Sequence, residues 1–294
     1  AILTRLVTRP VQALADAVRR LNRADREDSA VHTGTAEFDF LSDEIRSMGQ
    51  SLATAERERQ MQLDKARKIQ QAIVTSGDIR VFGYEIAVRY RPAEAIGGDL
   101  ADYIEGADGT VIVVADVCGH GVPAALVTSM LRVAFRAHFD ARRPFADLFA
   151  SLNSLIAPLS RTVGFVTMFA AQLRPDGNVF YTSAGHERPF VCRGRLVTPL
   201  ESTGLPLGVD PHAKWTSNTL HLQLSDRLVV FTDGLVESRQ LLRSEATERI
   251  ASAARGSTDS QCAAAADTIM AMRPRQAHDD VCVAVIDRSG SRQS

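Results

Sequence analysis

A chain of 294 residues is long enough for one large domain and a smaller appendage. Its apolar fraction of 45% and charged fraction of 23% are those of an ordinary globular protein, and a net charge of -1 excludes the global basic field that recruits nucleic acid. Cys118, Cys192, Cys262 and Cys282 show no metal-ligand spacing and no C-x-x-C pair, so a reducing compartment is expected, and no apolar run reaches bilayer-spanning length.

The chain opens on Ala1 rather than methionine, which reads as a fragment or a processed product. Val7, Val11, Leu14, Val18 and Leu21 lay one apolar stripe along a predicted helix, with Pro10 near its start. A polar link is expected at roughly 22–36, followed by a second helix carrying Leu41, Ile45, Met48, Leu52 and Ala55 in 4-3-4-3 spacing. The register continues through Arg59, Gln62, Ala66, Ile69 and Ile73, weakened at its two polar members. Such a seam predicts a coiled coil or bundle partner, hence a homodimer through the N-terminal helices; the alternative is a helical hairpin packed on its own domain.

From Tyr84 the texture changes. YEIAVRY (84–90) alternates like a half-buried strand, and TVIVVAD (110–116) is an apolar run suited to a strand buried on both faces. A long helix is expected over 121–139, with a stripe of Val122, Ala125, Leu126, Ser129, Met130 and Val133. Another helix follows from Phe145 to Leu155, then strands at 165–173 and 178–183 about the turn PDGN. RLVVFTD (227–233) and VCVAVID (281–287) read as further strands, with helices at about 244–254 and 259–272 between them. This order predicts an α/β fold of two sheets with helices packed outside.

Asp99, Asp116, Asp233 and Asp279 each stand where a strand-like apolar run meets a glycine-bearing or acidic turn. Rigid backbone beside the aspartate and a turn next to it let each side chain face a shared cleft. Carboxylates crowded there would repel and stay partly protonated unless hard divalent cations bind them. Two cations would also activate water and clamp a phosphoryl group, which points to a metal-dependent hydrolase.

Seven segments carry a family resemblance: IGGDLADY (96–103), VVADVCGHGVPAAL (113–126), GFVTMFAAQL (164–173), YTSAGHERPFV (181–191), GLPLGV (204–209), VVFTDGLVES (229–238) and HDDVCVAVI (278–286). In this order they resemble the stage II sporulation protein E-type phosphatases, the bacterial branch of the metal-dependent type 2C protein phosphatases, over roughly residues 62–288. The resemblance implies a layered αββα sandwich and two manganese or magnesium ions. It implies hydrolysis of phosphoserine or phosphothreonine on a small anti-sigma-factor-antagonist-like protein, by water activated between the ions. Asp116 resembles the residue bridging both ions, and the Val117 carbonyl the adjacent main-chain ligand. Asp233 and Asp279 resemble the remaining ligands of the first ion, and Asp99 the acidic group serving the second. Asp102 and Asp280 are supporting candidates. Leu100-Ala101 replaces a pair that is often aromatic, which points to a different cleft mouth, and no clear counterpart exists for the arginine that grips phosphate in eukaryotic relatives.

RPVQAL (9–14) and the EF pair at 37–38 resemble a HAMP signalling module. That resemblance implies parallel dimers and a preceding membrane segment, so the expected location is the cytoplasmic side of an inner-membrane sensor. The expected organisation is a HAMP-like segment (1–61), a linker helix (62–80), the phosphatase domain (81–288) and a disordered tail (289–294). The helix at 38–76 is expected to act as a control lever through Ala66, Ile69 and Ile73. His120 and His186, both beside glycines, read as structural loop histidines rather than general acids. A diguanylate cyclase is excluded because Leu100 and Ala101 replace the groups its GGD turn needs. The remaining rival is a non-catalytic phosphoprotein-binding sensor or scaffold; the presence of all ligand positions favours catalysis.

Overall fold

The computed structural model describes residues 7–21, 35–237, 242–256, 261–273 and 279–290, and the chain divides into two units, Ala1–Ala66 and Arg67–Ser294. The expected polar link therefore lies almost wholly outside the described residues. In the first unit, α1 (Arg9–Leu21) begins with Pro10 in its first turn, where a missing N–H costs nothing. Helix α2 (Ala36–Ile73) starts with Glu37 and Asp39, acidic groups that complement the helix N-terminus, and it runs unbroken across residues 61 and 62 into the second unit. Of the expected seam, Val11, Val18, Leu41, Met48 and Leu52 are exposed, whereas Leu14 is buried.

The second unit is built on two antiparallel sheets. The first has the order β1 (Gly77–Val81), β2 (Tyr84–Arg91), β11 (Val281–Arg288), β10 (Arg227–Phe231), β7 (Phe190–Arg193) and β8 (Leu196–Pro199). The second runs β3 (Asp99–Gly106), β4 (Gly109–Val117), β5 (Val166–Leu173), β6 (Asn178–Ala184) and β9 (Asn218–His221). Helices α3 (Gly121–His138) and α4 (Phe145–Ile156), with the short α5 (Ser160–Val163), lie in the long β4–β5 connection; α6 (Arg243–Gly256) and α7 (Cys262–Met270) precede β11.

Strand alternation sorts the side chains into three cores. Val111, Val113, Ala115 and Val117 of β4 pack with Val127, Leu131 and Phe135 of α3 and Phe149 and Leu152 of α4. Ile112 and Val114, one residue out of phase, join Val88, Val230, Cys282, Ala284 and Ile286 of the other sheet. Val281, Val283 and Val285 complete the pattern on the far side, against Ile250, Ala265 and Ile269 of α6 and α7. Helices, sheet, sheet and helices therefore stack as the αββα sandwich that the sequence implied.

Helix α3 is rotated relative to its expected stripe. Val122, Leu126, Met130 and Val133 are exposed; of the expected stripe Ala125 is buried, and it faces inward with Ala124, Val127, Thr128, Leu131, Ala134 and Phe135. The helix is apolar nearly all round, so periodicity alone left its inward face open. Arg132 and Arg136 fix it: both reach the fully buried carboxylate of Asp102 on β3, at 2.9 and 2.7 Å. Asp102 is thus a structural anchor under α3. Leu100 and Ala101 likewise face the two cores rather than a cleft mouth.

Candidate active site

The register of β3 and β4 places Asp99 directly opposite Asp116, the next strand adding Thr167 opposite Asp116. Two carboxylates paired across strands repel, and burial strengthens the repulsion. Asp99 is almost wholly buried; burial, then the charges of Asp116 and Asp280, hold its pKa well above the usual carboxylate range. Burial, then Asp233, Asp279 and Asp280, raise Asp116 to about 8. A hydrogen bond shared with Asp99 opposes that rise.

Asp233 opens the single helical turn Asp233–Leu235 that follows β10, and its carbonyl accepts from the Val236 and Glu237 amides at 2.8 and 2.7 Å. Gly234 is required there, since a Cβ would overlap the Asp280 carbonyl. Burial, then Glu237 and Asp279, raise Asp233 to about 6. Asp279 stands just before β11, its Oδ1 accepting from the Asp280 amide at 2.8 Å. The Val117 carbonyl lies at the end of β4 beside Gly98, where an added Cβ would come within 2.9 Å of it. Asp280 is spent on the neighbouring loop: it accepts the Ala93 amide at 2.7 Å and the Gly98 amide at shorter range.

Asp99 and Asp116 therefore pair across strands, and the charges of Asp233 and Asp279 act on Asp116. Among the described residues, no three His, Cys, Asp or Glu side chains converge tightly enough to hold a metal ion. The donor set nonetheless fits a hard divalent cation. It consists of carboxylate and carbonyl oxygens, and the raised values of Asp99, Asp116 and Asp233 record charge that such a cation would neutralise.

The structure adds residues that the motifs did not single out. Thr232, fully buried, donates to Asp99 Oδ2 at 2.8 Å and accepts the Cys282 amide at 2.8 Å, tying Asp99 to β10 and β11. A cavity of about 280 Å³ is lined by Asp116, Thr167, His186, Glu187, Arg188, Asp233 and Arg243. Arg243 pairs with Glu187 at 2.5 Å and lies 3.8 Å from Asp233. It comes from the start of α6, just beyond the VVFTDGLVES segment (229–238), and only the fold shows that it lines this cavity. His186 is buried beside Thr167 at 3.0 Å, and burial lowers its pKa to about 3, opposed by a bond to the Phe231 backbone. His120 is exposed on its loop and pairs with Glu94 at 3.1 Å. Cys282 is fully buried, and burial pushes its thiol well up; it packs as a small apolar residue.

A profile of the family described as Stage II sporulation protein E (SpoIIE) matches residues 106–289, a span that includes Asp116, Asp233 and Asp279. The phosphoserine phosphatase RsbU of Bacillus subtilis (strain 168) is 27% identical over 264 residues, covering 85% of this chain and 79% of that protein. Among solved structures, the RsbU and RsbW domains of Rv1364c from Mycobacterium tuberculosis match with a TM-score of 0.65 at 27% identity, over 76% of this chain and 64% of that one. The SiaA-PP2C domain of Pseudomonas aeruginosa matches with a TM-score of 0.67 at 22% identity, over 80% of this chain and 99% of that domain. The same fold appears in the catalytic domain of the serine threonine protein phosphatase PstP in complex with 2 manganese ions, at a TM-score of 0.53 and 20% identity over 70% of this chain and 98% of that one. The chain belongs to the Stage II sporulation protein E (SpoIIE) family, and its fold is that of the PP2C-type phosphatase domains.

Proposed function

We propose that the chain is a manganese- or magnesium-dependent phosphatase acting on a small phosphorylated protein of the anti-sigma-factor-antagonist type. The observation that carries this reading is the cross-strand pair Asp99–Asp116, joined by Asp233 and Asp279 in one acidic neighbourhood. Asp116, Asp233, Asp279, Asp99 and the Val117 carbonyl would hold the ions. Bound there, two cations would neutralise the cluster and lower the pKa of water at the scissile phosphate.

The remaining work falls to side chains around the cavity. Thr232 keeps Asp99 oriented. Arg243 sits on the cavity wall with its guanidinium held between Glu187 and Asp233. A guanidinium fork matches phosphate, and Arg243, whose charge faces the cavity, would receive the phosphoryl oxygens. Arg243 thereby takes the place of the phosphate-gripping arginine for which the sequence offered no counterpart. Neither Cys118, exposed beside the site, nor the buried Cys282 is needed as a nucleophile.

The likeness to RsbU and to a chain that joins RsbU and RsbW domains supports a partner-switching substrate. We further propose the division 1–61, 62–80, 81–288 and 289–294 as signalling segment, linker helix, catalytic domain and tail. The solvent-exposed seam of Leu41, Met48 and Leu52 supports pairing of two copies through α2. No described helix is long and apolar enough to cross a membrane, so attachment to an inner-membrane sensor is proposed through sequence beyond this chain.

The test is incubation with a phosphorylated antagonist protein in Mn²⁺ and then in chelator. Release of phosphate only with metal supports the reading. Tight binding of the phosphoprotein without release, in metal-loaded protein, would favour the scaffold instead.

A further inference from the structure

We infer that Gln70 is a positioning residue for Asp99, part of a brace formed by residues 70–75 that grips the chain on both sides of that aspartate. The inference deepens the metal-dependent reading of the acidic cluster and rests on it for its functional consequence. Gln70 lies in the last turn of α2 and is only 5% exposed. Its Oε1 accepts the Gly97 amide at 2.9 Å, and its Nε2 donates to the Gly97 carbonyl at shorter range. A buried amide is costly unless satisfied, and two bonds to one residue fix both the distance and the rotation of that peptide. Five residues on, Thr75 donates its amide to the Ala101 carbonyl at 2.9 Å and its hydroxyl to Asp102 Oδ1 at 3.0 Å. Asp99 lies between these grips, two residues from Gly97 and two from Ala101.

The loop has little other slack. Tyr90 and Asp280 fill the space a Cβ on Gly97 would need. The Gly98 carbonyl accepts from Thr128 Oγ1 at 2.6 Å and from the Val117 amide at 3.3 Å. Thr128, Val117 and Asp280 all belong to the sandwich and its α3 layer; Gln70 is the contact supplied by the helix that precedes it. Ile69, a residue the seam assigned to transmission, is 65% exposed, so the buried grip one position later is the physical link between helix end and ligand loop.

The experiment uses the whole chain and compares wild type with Gln70→Leu, which keeps the bulk and removes both bonds. Hydrogen exchange over residues 96–99 is followed in chelator, and Mn²⁺ binding is read from the electron paramagnetic resonance of the free ion. Gln70→Leu should exchange this loop faster and weaken Mn²⁺ binding by about tenfold. Turnover of p-nitrophenyl phosphate should recover as Mn²⁺ is raised, with KM unmoved, which a general loss of fold would not produce. If Gln70→Leu does not fold, Gln70→Asn, an amide one methylene too short for Gly97, carries the same expectation. Unchanged exchange together with Mn²⁺ affinity within about twofold of wild type would overturn the inference. Should wild type itself bind no Mn²⁺, the metal-dependent reading falls, while exchange in chelator still decides whether Gln70 holds the loop.

Discussion

Asp99 and Asp116 face one another across adjacent strands, an arrangement that costs free energy unless a proton or a cation separates the charges. Arg243 offers the opposite charge, directed at the same cavity. Arg243→Ala is expected to raise KM for a phosphorylated substrate by about tenfold, the loss of one charge-assisted contact, with a smaller effect on kcat. Steady-state kinetics at saturating Mn²⁺ checks this, and an unchanged KM would remove Arg243 from substrate binding. The placement of the four aspartates at strand ends was legible in the sequence because each adjoins a strand-like run and a turn. Thr232 and Arg243 were not. A threonine next to an aspartate carries no signal until β3 folds against β10, and the ion pair of Arg243 with Glu187 spans two segments that only the tertiary fold brings together.

At the scale of elements, long buried strands such as β4, β5 and β11 were readable because continuous apolar runs leave few alternatives. Strands β1, β8 and β9 were not, since they are short and partly exposed, and their pairing is decided by neighbours. Helix α3 was found but misoriented, because what turns it is the buried Asp102 with Arg132 and Arg136. Burial opposes ionisation of Asp102, yet hydrogen bonds from Arg136 and Arg132 outweigh it and its pKa is lowered. Asp102→Ala leaves two arginines facing a buried gap and should cost roughly 3 kcal/mol in urea unfolding. A loss under about 1 kcal/mol would mean that hydrophobic packing alone sets the helix.

For the molecule as a whole, the acidic cluster sets a pH signature. A carboxyl with a raised folded pKa costs nothing below its ordinary 3.8 and penalises the fold increasingly as pH climbs to the folded value. With Asp233 at about 6 and Asp116 at about 8, chelated protein should lose thermal stability between about pH 4 and pH 8. Asp102 works in the opposite sense, its stabilisation present above the usual carboxylate range and lost as pH falls through its lowered value. Added Mn²⁺ should flatten the decline on the alkaline side and bind more tightly as the protons leave. A Tm in chelator that stays level from about pH 5 to pH 8 would show that the carboxylates do not crowd one another in solution.

The most direct measurement is a Mn²⁺ titration of wild type and Asp116→Asn, followed by binding and by hydrolysis of p-nitrophenyl phosphate. Wild type should take up about two ions per chain and turn over only when they are present. Asp116→Asn should keep its fold, bind fewer ions and hydrolyse on the order of a thousandfold more slowly. Wild-type turnover that persists in chelator, or a near-normal rate for Asp116→Asn, would contradict a cation pair held by these aspartates.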